Sequence, residues 1–181
     1  MIIDCHTHIW DTTSQLGLGS EELLARQGLA RGAAASAREH QAAGKIADRT
    51  LVMGLVSRYL QAEVPNENIS QYVRQNPQKL IGIAGIDPTD ADALDKARDL
   101  LSGDEFGGLT LSPALQNFHP ADSRAMRLYA LAEESSWPVF VLQGTHLPRL
   151  GRMEYARPAL LDEIAREFPA LTLVIGSLGH P

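Results

Sequence analysis

A single cysteine in 181 residues rules out an internal disulfide framework, so this chain must be held together by its core. Cys5 alone fits a reducing compartment. No apolar run approaches the ~18 residues that a membrane helix needs, and no charged segment leads into an apolar one as a secretion signal would. The expected location is therefore the cytoplasm, with no membrane partner. Positive charge is also scarce. Sixteen Lys and Arg against 22 Asp and Glu leave a net charge of -6. With no basic cluster anywhere, nucleic acid is excluded as a partner. Internal repeats and low-complexity tracts are absent too.

What remains is an ordinary soluble composition, 44% hydrophobic and 21% charged, in one domain's length of chain. Strand-like and helix-like segments alternate along it. Strands are expected at residues 2–5, 47–55, 80–86, 108–111, 138–142 and 171–175. Between them, helices are expected from Ser20 to about Gly44 with a break near Gly28 or Gly32, and at 66–76, 90–101, 122–135 and 157–168. Asp122 is the expected N-cap of the segment at 122–135, and Pro158 sits in the first turn of the last.

Continuous apolar strands separated by amphipathic helices imply a parallel sheet buried on both faces. A doubly wound sheet and a (β/α)8 barrel both satisfy that pattern. No glycine-rich dinucleotide loop follows the first strand; two histidines do. Chemistry gathered at the C-terminal ends of strands is the habit of the barrel, so an α/β fold of TIM-barrel type is expected, with about six βα units. Two further units would close it. Residues 1–181 are thus expected to be a single, incomplete barrel domain belonging to a longer protein, the alternative being that a second copy covers the open edges.

The most informative segment is Asp4-Cys5-His6-Thr7-His8-Ile9, directly after Ile2-Ile3. Side chains alternate along a strand, so His6 and His8 share a face with Asp4 behind them, about 6–7 Å apart. Cys5 and Thr7 face the other way. Two imidazoles in that register can converge on one transition-metal ion.

Taken together, several segments resemble the amidohydrolase superfamily, in its amidohydrolase-2 or amidohydrolase-related branch. They are Asp4 to Ile9, Asp48-Arg49-Thr50-Leu51-Val52, Asn76-Pro77-Gln78-Lys79-Leu80-Ile81-Gly82, Gly107 to Pro113, Phe118-His119-Pro120-Ala121-Asp122, Pro138-Val139-Phe140-Val141 and Phe168 to Gly176. The resemblance runs the length of the chain. It implies a metal-dependent hydrolase of amides, esters or lactones, or a non-oxidative decarboxylase of a small carboxylic acid. The implied ion is divalent, zinc first, with manganese or iron as alternatives. The implied partner is a small-molecule substrate, and the chain is a possible homo-oligomer.

The resemblance also implies a site built from the first-strand pair, a histidine ending each of two later strands, and an aspartate from the eighth. His6 and His8 match. Leu142 and Ser177 stand at the two later histidine positions, and Thr110 replaces a frequent lysine. A catalytic zinc usually keeps three protein ligands, and leucine offers no lone pair. His146, four residues past Leu142, is the compensating candidate, approaching from the loop because Gly144 breaks the strand. The expected metal set is therefore His6, His8 and His146, with His146 and His119 as the expected catalytic groups. Asp4 is expected to orient an imidazole, Cys5 to pack as a small apolar group, and His40 to lie on the surface. His180 follows Ser177 by three residues and faces the opposite way in an extended backbone. Glu133 and Glu134 are solvated helix charges. Arg149 and Arg152 lie in the loop where an anionic substrate would come. The rival reading is a barrel that has lost the metal and binds a ligand or protein partner.

Overall fold

The computed structural model describes residues 1–29, 34–143 and 149–176. Six strands form one sheet: β1 (Ile3–Thr7), β2 (Arg49–Met53), β5 (Leu80–Gly85), β6 (Phe106–Leu111), β7 (Val139–Leu142) and β8 (Leu173–Gly176), side by side in that order. Every neighbouring pair is parallel. The sheet curls into a half-barrel of TIM-barrel type, one of the two architectures that the alternation of strand and helix allows. Among the described residues, β1 and β8 form its two edges.

Helices cover the convex face, because each strand alternates its side chains between two layers. Val52, Ala84, Leu109, Leu111, Val139 and Val141 point outward into the main core. There they meet Ile69, Tyr72 and Val73 of α3 (Asn66–Arg74), Ala97 of α4 (Ala93–Leu101), and Leu128 and Tyr129 of α6 (Ser123–Glu134). Met53, Ile83 and Phe140 form a smaller cluster, with Leu51, Ile81, Leu142 and Val174 against it. Burial follows position in the sheet. Central β6 is almost wholly buried, whereas Ile3 on edge strand β1 is 50% exposed.

Three expectations need correction. The second strand stops at Met53 rather than at residue 55. Gly54 lets the backbones of β2 and β5 touch: a Cβ there would lie 2.7 Å from the Gly85 nitrogen. Leu55 instead opens an antiparallel hairpin, β3 (Leu55–Ser57) with β4 (Ala62–Val64). Its turn carries no Asn-Gly or Gly-Gly signal, and Gln61 adopts the left-handed region at φ 52. The helix expected from residue 90 begins at Ala93, because buried Asp87 folds the chain into a turn by accepting from the Thr89 amide and hydroxyl. The helix expected at 157–168 is split. Pro158–Leu161 is a 3-10 turn, and only α7 (Asp162–Glu167) is α-helical. Arg157, directly before Pro158, is extended, as a residue before proline prefers.

Two short helices complete the first connection, α1 (Ser20–Arg26) and α2 (Ala37–Ala43). Ser36 and Glu39 close a reciprocal capping box on α2, which places His40 in its first turns. Asp122 caps α6 as expected, accepting from the Arg124 amide. Helix α5 (Pro113–Gln116) braces the C-terminal ends of the strands. The buried Gln116 amide donates to the carbonyls of Val56 and Ile86, at 2.7 Å each, and accepts from the Ser112 amide. No described helix is long and apolar enough to cross a membrane.

Candidate functional site

The imidazole pair stands at the C-terminal end of β1. Ile3 and Asp4 pair with Arg49 and Thr50, but the next pair is Thr7 with Val52. Three steps on β1 thus answer two on β2, which is a β-bulge, and strict alternation fails between Asp4 and Thr7. Bulges of this kind re-aim side chains near a strand end, and here the outcome is convergence. The His6 and His8 Nε2 atoms lie 3.1 Å apart, with ring centroids 5.2 Å apart and the rings steeply tilted.

Proton bookkeeping fixes the tautomers. The Nδ1 of His8 lies 3.0 Å from the Met53 carbonyl, which can only accept, so His8 carries its proton on Nδ1 and its Nε2 is bare. His6 must then donate Nε2–H to it. Burial pushes the His8 pKa down to about 4, and the neighbouring His6 adds to the effect, while the Met53 carbonyl opposes it. Burial also lowers the His6 pKa, against the pull of Asp4. Both rings are neutral at physiological pH, the state a metal ligand needs.

The donor set fits a divalent cation. Two nitrogens at about 2.0–2.1 Å from one zinc in a tetrahedral shell are about 3.3 Å apart, close to the distance between these two. A carbonyl holding the far nitrogen of a ligating imidazole is also the usual supporting arrangement. Met53 was missed in the sequence because a backbone carbonyl carries no residue-type signal.

Other expectations fare differently. Asp4 accepts from the His6 backbone amide at 3.4 Å rather than from an imidazole, and acts on the His6 ring through its charge. Cys5 is exposed rather than packed, on a strand that is a sheet edge among the described residues. His40 is not a surface residue: it is half-buried between β1 and α3, 2.8 Å from the Thr7 hydroxyl and 2.9 Å from that of Tyr72. His119 is exposed in the turn before α6, where its Nδ1 accepts from the Ala121 amide and its ring meets Tyr155 edge-on. None of these contacts joins it to His6 or His8. Arg152 is exposed and hydrogen-bonds Asn117. Leu142 packs against the Met53, Ile83 and Phe140 cluster, and Thr110 is buried with its hydroxyl finding no partner among the described residues. His146, Ser177 and His180 lie outside the described residues. Among the described residues, no group of three or more His, Cys, Asp or Glu side chains gathers as a metal site. A cleft of about 520 Å³ between α3 and α4, lined by Glu67, Asp90 and Lys96 among others, shares no residue with the imidazole pair.

A parallel half-barrel with paired histidines at the C-terminal end of its first strand defines a protein of the TIM-barrel class. The family follows from sequence: the amidohydrolase-2 model, described as Amidohydrolase, matches residues 3–181, and the chain belongs to that family. No curated protein matches it. Among solved structures, an uncharacterised TIM-barrel protein from Bordetella bronchiseptica is similar at 20% identity and TM-score 0.72, over 95% of this chain and 65% of that one. A probable 2-pyrone-4,6-dicarboxylic acid hydrolase from Acinetobacter baumannii, with citric acid bound, is similar at 17% identity and TM-score 0.62. That match covers 96% of this chain and 57% of the other. The 5-carboxyvanillate decarboxylase of Novosphingobium aromaticivorans, complexed with manganese and 4-hydroxy-3-methoxy-5-nitrobenzoic acid, is similar at 12% identity and TM-score 0.66, over 99% and 65%. The chain thus spans about two thirds or less of the length of these neighbours, and at such identities the likeness concerns the fold.

Proposed function

We propose that this chain carries part of the active site of a metal-dependent amidohydrolase-2 enzyme. Its reaction is hydrolysis of an amide, ester or lactone, or non-oxidative decarboxylation of a small carboxylic acid. His6 and His8 would hold a divalent cation, with His146 as the third ligand; zinc is the first candidate, with manganese and iron as alternatives. The observation that carries the reading is the 3.1 Å approach of two neutral Nε2 atoms, one of them oriented by the Met53 carbonyl. The hydrolase and decarboxylase neighbours support both reaction types, and the manganese named for one of them supports a divalent ion.

When bound, such an ion supplies Lewis acidity toward a carbonyl or carboxylate and lowers the pKa of a coordinated water. The protein's own residues do the rest. The Met53 carbonyl keeps the His8 proton on Nδ1 and so keeps Nε2 free to ligate. To ligate in turn, His6 must move its proton from Nε2 to Nδ1. His119 is the proposed substrate contact on the loop after β6, and His146 takes that role where it does not ligate the ion. The substrate is a small molecule, the working compartment the cytoplasm, and self-association a further part of the proposal.

One observation favours a second reading, a barrel that binds without metal: Leu142 occupies apolar packing where the family places a histidine. Metal analysis of protein purified without chelators separates the two. Zinc, manganese or iron near one equivalent, lost in a His6→Ala/His8→Ala double variant, is the expected result. No uptake even after metal addition would overturn the metal-dependent reading.

A further inference from the structure

We propose that His40 is a positioning residue for the His6/His8 pair, acting through Thr7; the proposal rests on the functional reading above. The hydrogen bonds around it leave a single consistent arrangement of protons. The Thr7 hydroxyl lies 2.6 Å from the Leu51 carbonyl and must donate to it. Its oxygen can then only accept from His40, so His40 carries its proton on Nε2. Neutral His40 is left bare at Nδ1, which accepts from the Tyr72 hydroxyl. Burial raises the Tyr72 pKa and lowers that of His40, which keeps both groups in the protonation states this chain of bonds needs.

The result is a directional link from Tyr72 through His40 and Thr7 to the Leu51 carbonyl. It ties α3 and α2 to the ends of β1 and β2. Its placement makes it matter. Thr7 stands between the two site histidines and just past the bulge, on an edge strand that pairs, among the described residues, with β2 alone. After Asp4, only Thr7 returns to the ladder. Fixing the Thr7 side chain therefore helps to fix the backbone that carries both imidazoles, beside the bond from His8 to the Met53 carbonyl.

The test uses the whole 181-residue chain with His40→Leu, which removes both bonds. It also uses His40→Gln, whose amide presents one acceptor and one donor in place of the two ring nitrogens. Long-range proton–nitrogen NMR reads the ring nitrogens of His6 and His8, and cobalt(II) alone serves as the metal probe. The expected result for His40→Leu is displaced or broadened His6 and His8 ring signals and about tenfold weaker cobalt binding, at the low end for a support of metal ligands. His40→Gln should restore both. A merely structural role would lower the melting temperature and leave the ring signals in place. Tyr72→Phe, which deletes one hydroxyl, gives a second route should His40→Leu fail to fold, and should move the same signals in the same direction. Ring signals and cobalt affinity unchanged in folded His40→Leu, or unchanged ring signals in Tyr72→Phe, would overturn the proposal. Should the unaltered chain take up no cobalt, the metal reading fails on its own, and the ring signals still decide the role of His40.

Discussion

The His8 ring should make the protein sensitive to acid in a calculable way. Its pKa falls to about 4 in the folded chain, chiefly through burial, against about 6.5 in the unfolded one. Between those values the unfolded chain binds a proton that the folded chain refuses. Stability is therefore full above about pH 6.5 and is lost as the pH falls toward 4. Linkage with these two values makes the His8 contribution at pH 5 about 2 kcal/mol less favourable than at pH 7. That figure is a ceiling, because the ring keeps some access to solvent. His6 and His40 shift in the same direction, so the whole chain weakens further, and a comparison is needed to isolate His8. Urea unfolding followed by circular dichroism at pH 7 and pH 5 provides it, with His8→Asn as the reference. The asparagine cannot titrate but keeps an N–H for the Met53 carbonyl. The original protein should lose up to about 2 kcal/mol more than the variant over that interval. Parallel losses would refute the claim that His8 is buried and neutral.

Two further predictions concern buried polar groups. Replacing Gln116 by Leu strands the Val56 and Ile86 carbonyls and the Ser112 amide, and should cost about 3 kcal/mol or more in urea unfolding; a cost under about 1 kcal/mol would show that water reaches those groups. Tyr129→Phe should be neutral or stabilising by up to about 1 kcal/mol in the same assay, because its buried hydroxyl finds no partner among the described residues. A clear loss of stability there would reveal a bond to a water or to another residue.

Much of the architecture was legible because period and punctuation are local properties. Apolar runs at residues 80–86 and 108–111 read as buried parallel strands, and the structure places β5 and β6, which contain them almost whole, at the centre of the sheet. Asp122 announced α6 by its chemistry as an N-cap. Signals failed where a partner distant in sequence decided the outcome. Gly54 ends β2 because the backbone of Gly85 lies against it, and nothing near residue 54 says so. The β3–β4 hairpin turns on a non-glycine residue at positive φ, which the surrounding contacts impose.

The site divides along the same line. The spacing of His6 and His8 at the end of an apolar first strand nominated the pair, because alternation along a strand depends only on neighbouring residues. Their convergence was a tertiary matter. The bulge that re-aims them arises from the register between β1 and β2, and the tautomer of His8 is set by a carbonyl 45 residues away. His40 looked like a surface residue because its partners, Thr7 and Tyr72, lie 33 and 32 residues away. Local periodicity can say which residues form strands and helices. Which atoms finally face each other depends on how those elements pack, and no short window of sequence contains that information.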